Sequence, residues 1–201
     1  MCYWLAQDPT TLRIYVCKEY ECFASVQRYV YDISYINKTY FNNTIIYADK
    51  TMWNRNTIRE EHDESPAMYF IREGLPLVKS NSDRINGWRM VKQWLHFEND
   101  QTPLLQIFKS CTKLIQTLPL LKHATRLGTS TEDLDSRGPD DAADALRYGL
   151  VTGFEYPSES EREERRSYYN NVKPHTLTDA YSVHNIYGNI NKTYASALST
   201  F

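Results

Sequence analysis

The chain has 201 residues, enough for one domain with its own core. Apolar residues make up 41% and charged ones 24%, a globular balance, and no apolar run approaches the length of a transmembrane helix. The formal net charge of -2 excludes a polycation, so any contact with DNA must come from a local basic patch.

The cysteines, Cys2, Cys17, Cys22 and Cys111, form neither a CxxC pair nor a zinc-type Cys/His spacing. They read as reduced thiols of a cytosolic protein, with Cys17 and Cys111 in the core. Met1 to Ala6 is apolar but too short for a signal peptide and lacks a basic leader.

In chain order, Cys2–Gln7 is a short apolar run. Asp8-Pro9-Thr10-Thr11 is turn chemistry, and residues 12–20 alternate, so a β-hairpin is expected. Residues 24–37 carry Val26, Val30, Ile33 and Ile36 at three- and four-residue steps, which predicts an amphipathic helix. Residues 44–49 read as a short buried strand that ends on Asp49. An acid delivered at the end of a hydrophobic strand is how α/β sheets present reactive groups. Equally, Asp49 could cap the segment that follows.

Residues 51–64 are polar and charged, a surface loop by composition. Ser65-Pro66 is cap chemistry followed by proline, so a helix should run to Arg72 and end at Gly74. Residues 75–79 read as a strand. Residues 81–97 form the next helix, with Ile85, Trp88, Val91, Trp94 and Leu95 on its apolar stripe and Lys79, Arg84, Arg89 and Lys92 around its start and outer face. A strand over 103–108 and a helix over 110–118 follow, then a connector over 122–137.

From about Pro139 to Gly153 a second type of helix is expected. Proline and acids precede Ala143, Leu146 and Leu150 at helical spacing. Asp141 and Asp144 lie three apart and Asp140 and Asp144 four apart, so they crowd one face. Such crowding is costly unless a cation sits among the carboxylates, and hard divalent ions prefer oxygen ligands. The alternative is that these acids only cap the helix and complement its dipole. Residues 155–166 are dense in both charges, a solvated helix or linker. Residues 168–201 mix Asn, Ser, Thr and Tyr without period and read as a mostly disordered tail. The expected division is therefore a domain over 1–154 and a linker and tail over 155–201.

Asp141-Ala142-Ala143-Asp144-Ala145-Leu146 resembles the last metal-binding helix of RuvC-type Holliday-junction resolvases. The longer run to Arg147-Tyr148 resembles the Asp-His-x-x-Asp-Ala-Leu-Arg-Tyr signature of the phage terminase large-subunit nuclease domain, with Asp141 where His is usual. Tyr47-Ala48-Asp49 resembles the middle acid of that nuclease, Arg84-Ile85-Asn86-Gly87 its Arg-x-x-Gly helix after a basic strand end, and residues 105–119 are also similar. The resemblance spans about Cys2 to Phe154.

It implies an α/β fold, a ribonuclease H-like mixed sheet flanked by helices. It implies cleavage of double-stranded DNA by two Mg²⁺ or Mn²⁺ ions held by Asp49, Asp141 and Asp144, with Asp140 as cap or outer partner. Two such ions, roughly 4 Å apart, activate a water and steady the leaving oxygen. Lys79 and Arg84 would touch DNA phosphates. The implied partners are double-stranded DNA, the terminase ATPase part, the small subunit or the portal, in the cytoplasm of a bacterial host and away from membranes.

The resemblance also calls for an acid on a strand before the hairpin, and for a Gly-x-x-x-x-Gly-Lys-Ser/Thr loop in an ATPase half. This sequence has neither. Asp8 is a poor substitute for the acid, and Glu19 has no support. The expectation is a nuclease domain cut at its N-terminus, with the first strand missing. Either another chain supplies that strand, or metal binding is weak and stability poor. The competing readings are a catalytically silent fragment that binds DNA or the packaging complex, and an unrelated structural α/β protein.

Overall fold

The computed structural model describes residues 1–41, 44–54, 64–96, 102–124, 133–135, 138, 140–171 and 193–196. The opening apolar run is β1 (Cys2–Gln7), paired antiparallel with β2 (Ile14–Tyr20). Asp8 makes the turn between them. Its carboxylate accepts from the Thr10 N–H at 2.8 Å and the Thr11 hydroxyl at 2.6 Å.

β3 (Thr44–Ala48) and β4 (Leu77–Lys79) run parallel, and β5 (Leu105–Ile107) runs parallel to β2. A last strand, β6 (Thr193–Ser196), lies between β1 and β3, antiparallel to the first and parallel to the second. The sheet order is β4-β3-β6-β1-β2-β5. One strand in the middle of this sheet, β6, comes from the stretch expected to be a mostly disordered tail. The physical reason is backbone pairing. Without β6 the facing edges of β1 and β3 would hold unpaired N–H and C=O groups in the interior.

The helices are α1 (Val26–Tyr40), α2 (Pro66–Arg72), α3 (Arg84–Leu95), α4 (Thr112–Thr117), α5 (Asp141–Gly153) and α6 (Glu159–Asn171). Their starts follow local chemistry. Ser25, Ser65 and Asp83 each cap a helix by accepting from a backbone N–H three residues on. Gly74, at φ 95°, ends the turn after α2 in a conformation other residues rarely adopt. The start of α4 is satisfied from another element: Glu19 of β2 accepts from the N–H groups of Lys113 and Leu114, at 2.9 and 2.8 Å. Pro139 lies outside the described residues, as do the polar loop 55–63 and the connector 125–132.

Both faces of β1 are buried, as its unbroken apolar run demands. Cys2, Trp4 and Ala6 pack with α1 and α2 residues such as Tyr29, Ile33 and Phe70. Tyr3 and Leu5 pack with Trp88, Trp94, Leu114 and Leu146 of α3, α4 and α5. The molecule is a mixed α/β arrangement with helices on both faces of one sheet. Among the described residues no helix is long and apolar enough to cross a membrane.

Candidate active site

α5 is built to lie close to the sheet. Ala142, Ala143, Ala145 and Leu146 are buried, and the helix packs on β1, β3 and β6. Small residues allow that approach, which brings Tyr148 of α5 to the residue just past the end of β3. Asp49 stands just past that end and is 9% exposed.

Asp49 does two jobs. One oxygen accepts from the Thr51 N–H at 3.0 Å and caps the short 3-10 turn Lys50–Trp53. The other accepts from the Tyr148 hydroxyl of α5 at 2.8 Å. The capping role weighed for Asp49 is therefore real, and so is a direct tie to the acidic helix. Burial first, then the bond to Asp49 and the nearby charge of Asp144, push the Tyr148 phenol well above its ordinary pKa. Tyr148 is thus a donor to Asp49 at any physiological pH.

Asp144 is 14% exposed and faces two arginines. Nε and Nη2 of Arg147 are each 2.9 Å from its Oδ1, and Nη1 of Arg84 is 3.4 Å from its Oδ2. Arg147 is 1% exposed, stacked between the rings of Trp88 and Tyr148 at 5.3 and 4.4 Å. It passes over Gly87 of α3, where an added Cβ would lie 2.8 Å from its Cγ and Cδ. The glycine of Arg84-Ile85-Asn86-Gly87 therefore has a steric cause: it leaves room for the arginine that holds Asp144.

Arg84 gathers more acids. Its Nε is 2.9 Å from Asp133, its Nη2 3.9 Å from Asp140, and it also donates to the Leu134 carbonyl at 3.4 Å. Asp133 is brought there by an antiparallel clip, in which Ala124 N–H donates to Asp133 O and Asp135 N–H to Lys122 O, both at 2.9 Å. Burial opposes the Arg84 charge, yet the hydrogen bond to Asp133 and the charges of Asp144, Asp133 and Asp140 together hold its pKa above the ordinary value. Asp140 goes the other way. Burial first, then Asp144, raise its carboxyl. Asp140 sits at the N-cap position of α5 but makes no side-chain cap bond.

Of the acids expected to act, Asp49 and Asp144 are linked through α5 by Tyr148, while Asp141 is exposed at the start of the helix. Asp8 and Glu19, the substitutes considered for a missing acid, are engaged elsewhere, in the hairpin turn and at the start of α4. Of the expected phosphate contacts, Lys79 is exposed at the end of β4, 5.5 Å from the Trp53 ring centroid. Arg84 instead turns onto the carboxylates.

Arg147, Tyr148, Gly87 and Asp133 had no assigned role in the sequence reading. The first three stand inside recognisable motifs, where an arginine near acids and a glycine in a helix are detectable signals. Asp133 gave none, being an acid in a polar connector.

The donor set suits a hard divalent ion, since it consists of carboxylate oxygens. The Arg84 guanidinium already stands among Asp133, Asp140 and Asp144, so the carboxylates converge on positive charge. In this arrangement no three His, Cys, Asp or Glu side chains among the described residues form a group placed to hold a metal ion. Comparison with protein-family models, curated proteins and solved structures finds no match to this chain.

Proposed function

We propose that the chain is the nuclease module of a viral DNA-packaging terminase, ribonuclease H-like in fold, cutting double-stranded DNA by metal-dependent phosphodiester hydrolysis. The observation that carries this reading is the Tyr148–Asp49 hydrogen bond, which ties a strand-end carboxylate to the helix bearing Asp140, Asp141 and Asp144. Asp49 and Asp144 would hold Mg²⁺ or Mn²⁺, with Asp141 as a third ligand or as orienter of the water. When bound, two such ions supply an activated water and charge compensation at the leaving oxygen.

The chain's own residues prepare the ligands. Tyr148 fixes the orientation of Asp49, and Arg147 that of Asp144. Lys79, exposed at the end of the strand beside β3, is available for a DNA phosphate. The partners on this reading are double-stranded DNA and the ATPase, small-subunit or portal components of the packaging machine, in the cytoplasm of the bacterial host.

The test is plasmid nicking in Mn²⁺, the unsubstituted chain against Asp144→Ala. Cutting by the first and its loss in the second support the reading. Equal cutting by both would refute it.

A second reading, a catalytically silent module that binds DNA or the packaging complex, is favoured by two facts. Both Asp144 oxygens face arginines. The central strand β6 reads Thr-Tyr-Ala-Ser and carries no acid. Such a module would bind DNA with a steep salt dependence and leave it uncut.

A further inference from the structure

Helix α1 turns two different sides to the molecule and to solvent. Its buried side carries Tyr29, Val30, Ile33 and Ile36, which seat it on the sheet. On the other side Arg28, Tyr31, Tyr35 and Lys38 follow at steps of three, four and three, so they line one exposed face. Tyr31 and Tyr35 are 64% and 56% exposed. Single exposed apolar residues on a protein surface need no explanation. Two aromatic rings in register between two cations are a different pattern, because helix propensity at solvent positions favours alanine or charged residues over tyrosine.

Charge decides what such a face can take. The whole chain stands at -2, yet α1 carries Arg28 and Lys38 against one acid, Asp32. That acid is already engaged. It accepts from Arg28 Nε at 2.8 Å and from the Tyr20 hydroxyl at 2.5 Å, and its side chain is 17% exposed. The Arg28 guanidinium also lies 6.0 Å from the Tyr31 ring centroid, so cation and ring stand together. Rings of this kind offer a π face to any base, and flanking cations meet phosphates.

Spacing separates a single strand from a duplex. At 1.5 Å per residue, Tyr31 and Tyr35 stand about 6 Å apart along the helix axis. Stacked bases step by roughly 3.4 Å. The rings are therefore nearly two steps apart, which fits bases drawn apart on a flexible single strand and not the closed stack of a duplex. Arg28 and Lys38 are about 15 Å apart on the same measure, one beyond each ring. Rings and cations serve bases and phosphates, and do not call on the 2′-hydroxyl that marks RNA.

We propose that the face of α1 formed by Arg28, Tyr31, Tyr35 and Lys38 binds single-stranded DNA, with bases stacked on the two tyrosines and phosphates held by the two cations. This stands independently of the nuclease reading, since α1 and α5 pack against opposite faces of β1.

The test uses the full-length chain in EDTA, so that no cutting intervenes. Anisotropy of a fluorescent oligothymidylate is followed across a salt series, beside its duplex with oligoadenylate, an oligouridylate, and vesicles of phosphatidylserine in phosphatidylcholine. The variants are Tyr31→Ala with Tyr35→Ala, Tyr31→Phe with Tyr35→Phe, and Lys38→Gln. All these positions are exposed and alanine is the better helix former, so the fold is retained.

The expected result is oligothymidylate binding tighter than that of the duplex and at least as tight as that of the oligouridylate. The alanine pair should weaken it by at least about tenfold, while the phenylalanine pair keeps it. Lys38→Gln should make the salt slope shallower by about 0.7. No binding by the unsubstituted chain, or binding that the alanine pair leaves unchanged, would overturn the proposal. So would a preference for the duplex or the oligouridylate, or capture by vesicles and not by the strand, which would assign the face to a double helix, to RNA or to an anionic membrane.

Discussion

Arg147 reaches back one turn along α5 and holds Asp144, with Nε and Nη2 each 2.9 Å from the same carboxylate oxygen. The guanidinium is almost wholly buried and lies between two aromatic rings, so this pair is a fixed part of the core. Removing one partner of a buried pair leaves an uncompensated charge. Arg147→Met is expected to destabilise the fold by about 3 kcal/mol. In an Asp144→Asn background the same change should cost about 1–3 kcal/mol less. Urea unfolding of the full double-mutant cycle measures the difference, and equal costs in the two backgrounds would mean the pair contributes nothing.

Gly87 is where α3 makes room for that arginine. A methyl group there would meet the Arg147 stem at 2.8 Å, and the stem is confined by Trp88 and Tyr148. Helix propensity alone favours alanine over glycine by up to about 1 kcal/mol, so the two effects oppose each other. Overpacking in a confined site costs typically 1–3 kcal/mol and should win. Gly87→Ala is expected to lower the urea midpoint with an unchanged slope. A raised midpoint would show that Arg147 moves aside freely.

Much of this arrangement was legible in the residues. The Ser65 cap, the glycine stop after α2 and the helical spacing of Val30, Ile33 and Ile36 are local signals, and local chemistry decides those features. The acids of α5 were legible as a crowd in need of a cation. Which cation answers them was not, because Arg84 and Arg147 reach Asp144 by side-chain routes that only packing defines. β6 escaped notice for a related reason. Its place depends on the empty edges of β1 and β3 rather than on any period in Thr-Tyr-Ala-Ser.

Tyr148 ties Asp49 to α5 through a single hydroxyl. Tyr148→Phe removes that hydroxyl and leaves a buried carboxylate one donor short. A cost of about 1–3 kcal/mol is expected, since the acceptor is charged. Thermal melts of the two proteins side by side measure it, and an unchanged midpoint would show that water replaces the phenol without penalty.

Asp140 gives a pH signature. Burial and the neighbouring Asp144 hold its carboxyl above the ordinary value of 3.8. A raised acid binds its proton more tightly in the folded state. Its stabilising contribution is therefore complete below the unfolded pKa and is lost as pH rises through the folded one. Asp140→Asn should raise the melting temperature at pH 7, and the gain should shrink toward zero as pH falls to about 3.8. A gain of the same size at both ends would assign the effect to something other than ionisation.

The account rests on Asp49 and Asp144 acting as one unit toward a divalent cation. Calorimetric titration of Mn²⁺ into the full-length chain, repeated with Asp49→Asn and with Asp144→Asn, tests this most directly. Saturable binding by the unsubstituted chain that either substitution weakens at least tenfold is the predicted result. Binding left unchanged by both substitutions, or absent from the unsubstituted chain, would contradict it.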